Sequence, residues 1–80
     1  MDSTSDFIID SLKEEPIGET DHFIWFITDI GIAALFKKEH NYETYNLYVE
    51  NEANKIGLDI TKEEKEFLKI EGKEILLFYS

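Results

Sequence analysis

Apolar residues gather in blocks along this chain, and the densest block, residues 22–36 (HFIWFITDIGIAALF), sets the terms for the rest. It holds four of the eleven aromatic residues, including the lone tryptophan. A membrane span needs about 20 apolar residues; this block is shorter and carries Asp29 and Gly31 inside it. A single helix here would be apolar all round and would need burial on every side. Two strands fit better, because FIWFIT is rich in the aromatic and β-branched residues that suit a pleated surface. Asp29, Ile30 and Gly31 then supply a three-residue loop, with Gly31 free to take a positive φ.

The pattern therefore predicts an antiparallel hairpin of strands 22–28 and 32–38. Closing on residues 29–31 sets Thr28 opposite Ile32, Trp25 opposite Leu35 and Ile24 opposite Phe36. Alternation then gives one face Phe23, Trp25, Ile27, Ala33 and Leu35, and the other Ile24, Phe26, Ile32, Ala34 and Phe36. Both faces are apolar, whereas antiparallel sheets commonly keep one face wet. The second face needs a cover, either the chain's own helices or a partner.

The flanks supply candidate covers. Residues 3–15 carry an apolar stripe (Phe7, Ile8, Ile9, Leu12) with Ser3 as cap, and Pro16 with Gly18 ends the helix they predict. Residues 43–56 repeat Tyr45, Val49, Ala53 and Ile56 at helical spacing before Gly57. The alternation of Tyr45, Leu47 and Val49 offers a third meander strand over 42–50 instead. Thr61 and Glu64 have the spacing of a capping box, so Phe67, Leu68 and Ile70 predict a short helix over 62–70 that Gly72 ends. EILLFY at 74–79 reads as an inner strand, apolar on both faces. The expectation is one small α+β domain, residues 1–80, with an antiparallel sheet packed by helices.

Charge changes the picture. The chain carries 18 acids against 8 lysines, no arginine, and a net charge of −10. Residues 1–36 hold eight acids and one lysine, while 37–80 hold ten acids and seven lysines, so the excess is concentrated. Direct nucleic-acid binding is disfavoured, since phosphate contact needs cations. A protein partner with a basic surface is favoured electrostatically. Asp2, Asp6, Asp10 and Glu14 fall four apart, which in a helix makes a row at roughly 6 Å intervals, similar to the charge spacing of a nucleic-acid backbone. Glu15, Glu19 and Asp21 extend it, and Trp25, Tyr45 and Tyr48 are candidate aromatic contacts, Tyr42, Tyr45 and Tyr48 being close neighbours on a helix.

Catalytic equipment is sparse: there is no cysteine, no phosphate loop and no nucleophile elbow, and only two histidines. No enzyme activity or cofactor is expected. The predicted register gathers His22, Lys38, Asp21, Glu39, Thr20 and His40 at the open end of the hairpin, making His22, His40 and Glu39 candidate metal ligands. The absence of cysteine and the acidic N-terminus, MDSTSD, place the protein in the cytoplasm of its own or a host cell, away from membranes. Small size, acidity and missing catalytic parts look like small phage or mobile-element proteins that inhibit host factors. The first expectation is thus an acidic module that inhibits or regulates a basic, nucleic-acid-handling protein, in its sharpest form by DNA mimicry. An oligomeric subunit, such as a homodimer joined through an apolar sheet face, is the second; a small metal-binding protein is the third.

Overall fold

A computed structural model of the chain describes residues 10–38, 42–61 and 64–79. Five antiparallel strands form one sheet, β1 (Gly18–Glu19), β2 (Phe23–Thr28), β3 (Gly31–Phe36), β4 (Glu64–Ile70) and β5 (Lys73–Tyr79), in the spatial order β1-β2-β3-β5-β4. One helix, α1 (Tyr42–Lys55), connects β3 to the β4–β5 hairpin. The α+β domain, the hairpin, the helix over 43–56 and the inner C-terminal strand are as the sequence predicts, and the meander strand over 42–50 is not formed. Among the described residues no helix is long and apolar enough to cross a membrane.

The β2–β3 hairpin closes one residue tighter than expected. Thr28 pairs with Gly31, Trp25 with Ala34 and Phe23 with Phe36, leaving Asp29 and Ile30 as a two-residue loop. Thr28 explains the tighter closure: its buried hydroxyl accepts from Ile30 N–H at 3.2 Å and donates to the Gly31 carbonyl at 2.8 Å. A slip of one residue moves a strand's side chains to the opposite face. Ala34 and Phe36 consequently join Phe23 and Trp25, while Ala33 and Leu35 join Ile24 and Phe26. Gly31 is needed for a reason local turn chemistry does not reveal. A Cβ there would lie 1.9 Å from the Phe78 carbonyl oxygen on β5.

The larger difference is at 62–70, where residues 64–70 are a strand and not a helix. Thr61 caps no helix. Its hydroxyl and its N–H both reach back to Asp59 Oδ1, at 2.9 and 3.3 Å. Downstream, Glu71 and Gly72 both have positive φ, 51° and 79°, the signature of a two-residue type I′ turn. That turn pairs Ile70 with Lys73 and lays β4 along all of β5. Glu and Lys favour helix only weakly, and the ladder outweighs them.

Each sheet face has its own core. On one, Phe23, Trp25, Ala34, Phe36, Leu76 and Phe78 pack beneath Tyr45, Val49 and Ala53 of α1. The helix ends in a Schellman motif: Leu58 N–H reaches Ala53 O at 2.9 Å and Gly57 N–H reaches Asn54 O at 3.1 Å, with Gly57 at φ 81°. That closure turns Leu58 and Ile60 back into the same core. On the other face Phe26, Ala33, Ile75 and Leu77 are buried, with Leu12 packed against them. Leu12 belongs to a helical turn, residues 10–12, that ends by Lys13, short of the predicted residue 15; the rest of the 3–15 helix lies outside the described residues. Among the described residues, Leu12 is the one side chain from outside the sheet's strands and their turns that packs on this second face.

Two substitutions check this topology. Gly31→Ala should cost about 3 kcal/mol or more by forcing β3 from β5, read as a fall in the urea midpoint. Glu71→Asn should raise the midpoint by about 1 kcal/mol, because Asn accepts the left-handed conformation that Glu adopts at a cost. A helix capped at Gly72 would show neither the gain nor a β signature there.

Candidate protein-binding surface

Charge and topology combine at the β1 margin. After the turn in which Lys13 N–H bonds Asp10 O and Glu14 N–H bonds Ser11 O, at 3.2 and 3.1 Å, the chain extends and Ile17 N–H takes the Trp25 carbonyl at 2.8 Å. β1 comes next, and a tight turn closed by Thr20 N–H on Phe23 O, 2.9 Å, returns the chain into β2. Glu14, Glu15, Glu19 and Asp21 are all exposed along this outer edge. Ile17, 41% exposed, lies among them. Two described lysines accompany them: Lys37, whose Nζ is 2.7 Å from Glu19, and Lys13, beside Glu14, whose Nζ is 4.0 Å from Asp10. At the opposite edge β4 exposes Glu64, Lys65, Glu66 and Lys69, a balanced set. Mixed charge guards that edge against pairing, whereas the β1 edge is predominantly acidic.

The predicted contact residues separate accordingly. Asp10, Glu14, Glu15, Glu19 and Asp21 are exposed, but Glu14 lies past the helical turn, so no helix carries it in line with Asp10. Asp2 and Asp6 lie outside the described residues. Trp25 and Tyr45, expected at a binding surface, are core residues with no exposed face. Trp25 stacks toward Phe78 and its Nε1–H donates to Thr20 Oγ1 at 2.9 Å. Tyr45 lies against Phe36, with its hydroxyl donating to Lys38 O and accepting from Lys38 N–H. Burial, reinforced by the nearby Glu74 carboxylate and opposed by the Lys38 bond, raises its pKa above the usual value. Tyr48 remains 41% exposed, stacked flat on the His22 ring at 4.4 Å.

His22 has a different partner from the one the expected register gives it. It does not meet Lys38; its carbonyl accepts from Lys37 N–H at 3.0 Å. Glu39 and His40 lie outside the described residues. The ring instead meets Glu52 of α1: Nδ1 bonds one carboxylate oxygen, and the His22 N–H donates to the other at 2.9 Å. The Thr20 hydroxyl accepts from Trp25 Nε1–H at 2.9 Å and donates to the Phe23 carbonyl at 3.5 Å. Burial alone would raise the Glu52 pKa, but the Thr20 hydroxyl, the bonds from the His22 backbone and ring, and the attraction of that ring hold it below the usual carboxylate range. Among the described residues no group of three or more His, Cys, Asp or Glu is placed to hold a metal ion.

Glu52 is 3% exposed, and the sequence pattern does not single it out. A signal exists: it lies three residues after Val49 and seven after Tyr45, on the inward stripe of α1. Chemically, a carboxylate-oriented imidazole can relay protons. Here the ring's other neighbours are the aromatic faces of Phe23, Tyr45 and Tyr48. Its work is to pin the tip of the β1–β2 turn to α1, with Tyr48 stacked on the His22 ring.

The sheet, the helix and this margin together form one unit, and a family profile covers it from residue 6 to residue 80. The chain belongs to DUF8674, a domain of unknown function. No curated protein and no solved structure matches it. Membership in DUF8674 thus accounts for the domain as a whole and leaves its chemistry to be argued from its residues.

Glu52 sets a pH dependence. Its pKa in the folded chain is below the unfolded value, so it stabilises the fold above the ordinary carboxylate range and that contribution is lost as pH falls through the lowered value. Glu52→Gln should therefore be about 2 kcal/mol less stable than the parent near neutrality, since it leaves buried donors poorly matched. In urea titrations stepped down in pH, that gap should narrow.

Proposed function

We propose that this domain is an acidic protein-binding module that engages a basic protein surface through its β1 edge. The observation that carries the reading is the segregation of charge across the sheet: Glu14, Glu15, Glu19 and Asp21 crowd one margin while the β4 margin is balanced. A predominantly acidic rim speeds encounter with an oppositely charged partner and disfavours like-charged ones. Ile17 and Tyr48 supply apolar contact beside it, and Tyr48 is held rigid by its stack on His22, which lowers the entropy of ordering it. A partner that itself handles nucleic acid would present such a basic surface, and inhibition would result from occupying it. Mimicry here rests on the extended edge and not on a helical row of carboxylates.

The experiment is an affinity capture from the source cell with three baits: the parent, Glu14→Gln/Glu15→Gln/Asp21→Asn, and Glu64→Gln/Glu66→Gln. A partner should be held by the first and third baits at about 50 mM salt, released at about 500 mM, and lost from the second. With the purified partner, the triple variant should slow association by about tenfold or more and leave dissociation nearly unchanged. Capture indifferent to both salt and the triple substitution would overturn the reading.

A further inference from the structure

In the middle of the sheet the ladder between β3 and β5 stops early. Pairing runs from Gly31↔Tyr79 to Leu35↔Ile75 and goes no further. β5 nevertheless continues to pair with β4 through Lys69↔Glu74 and Ile70↔Lys73. Across the gap, Phe36 is still paired with Phe23 on β2, and Lys37 N–H is held by His22 O at 3.0 Å. Lys38 is clamped at both its N–H and its carbonyl by the Tyr45 hydroxyl. Each wall is thus fixed by its outer neighbour while the space between stays open. The result is a slot of about 330 Å³ lined by Leu35, Phe36, Lys37, Lys38, Gly72, Lys73 and Glu74.

Its charge runs against that of the molecule. Three of the chain's eight lysines, Lys37, Lys38 and Lys73, are among the residues lining this slot, in a chain of net charge −10. Lys37 Nζ is engaged by Glu19, whereas among the described residues Lys38 and Lys73 form no ion pair. Leu35 and Phe36 add apolar residues to the β3 wall, and the volume falls at the small end of ligand pockets. We propose that this slot binds a small soluble oxyanion, a phosphate or a carboxylate, through Lys38 and Lys73. Cationic donors on fixed backbone suit such a group. Glu74 on the same wall limits the net positive charge. The acidity of the whole molecule repels polyanions, which excludes nucleic acid and anionic membrane as the source of the oxyanion. The proposal is independent of the β1 edge and of the partner reading.

The test is an amide chemical-shift titration of the full chain with inorganic phosphate and, separately, with acetate, each against chloride at equal ionic strength. Saturable shifts are expected at Lys37, Lys38, Gly72 and Lys73 with phosphate, acetate or both, and none with chloride. Lys38→Gln/Lys73→Gln should weaken the apparent affinity by about tenfold or more, Glu74→Gln should strengthen it, and the distant Lys55→Gln should leave it unchanged. All four side chains reach the surface, so each variant keeps the fold, which the remaining amide spectrum verifies. Shifts that grow without saturating, spread evenly over the lysines, or persist in the double variant would overturn the proposal.

Discussion

Strand β5 leaves the fold little choice. Residues 75–78 are buried in succession, and because strand side chains alternate, a run of that kind must be covered on both faces and flanked on both edges. Fully burying each large apolar side chain is worth roughly 2–3 kcal/mol, so the run outweighs any local preference nearby. It takes β3 on one edge, and β3 must come close enough that only glycine fits at position 31. It takes β4 on the other, which draws a segment of Glu and Lys out of the helix they would otherwise support. α1 covers one face and Leu12 contributes to the other.

How much of the fold is legible in the sequence depends on the range of the forces involved. The helix over 43–56 is readable because its stripe and Gly57 are local signals, and β2 is readable because FIWFIT suits little besides a sheet. The hairpin register is not, because Thr28's hydroxyl bonding to Gly31 decides between a loop of two residues and one of three. The strand at 64–70 is hidden for a similar reason. Phe67, Leu68 and Ile70 satisfy a helical and an alternating pattern alike, and Thr61 resembles a cap until Asp59 claims its hydroxyl. Non-local pairing with β5 settles both.

The candidate surface divides along the same line. Acidity concentrated in the first half of the chain is visible by counting, and the sheet order converts that count into one acidic margin. Trp25 and Tyr45 pass for contacts in the sequence because aromatic residues with polar tips suit cores and interfaces equally. Their polar atoms are satisfied internally, by Thr20 and by Lys38. Glu52 escapes notice since a carboxylate on an apolar stripe looks like an exception until its two bonds to His22 are known. It joins helix to turn at the rim of the first apolar core, where the His22 ring lies beside Phe23 and Tyr45.

The order of pairing along the chain also bears on how the domain assembles. β2–β3 and β4–β5 are hairpins closed by two-residue turns, the kind of unit that forms within microseconds. The seam that unites them, β3 against β5, joins Gly31 to Tyr79, well over half the described length apart. α1 and the β4–β5 turn lie in the loop that this pairing closes, and such distant contacts slow folding. The two halves should therefore ripen separately and meet late. Until they do, β3 and β5 each show an unpaired apolar edge, and it is in that interval, not in the finished domain, that this acidic chain is most open to aggregation.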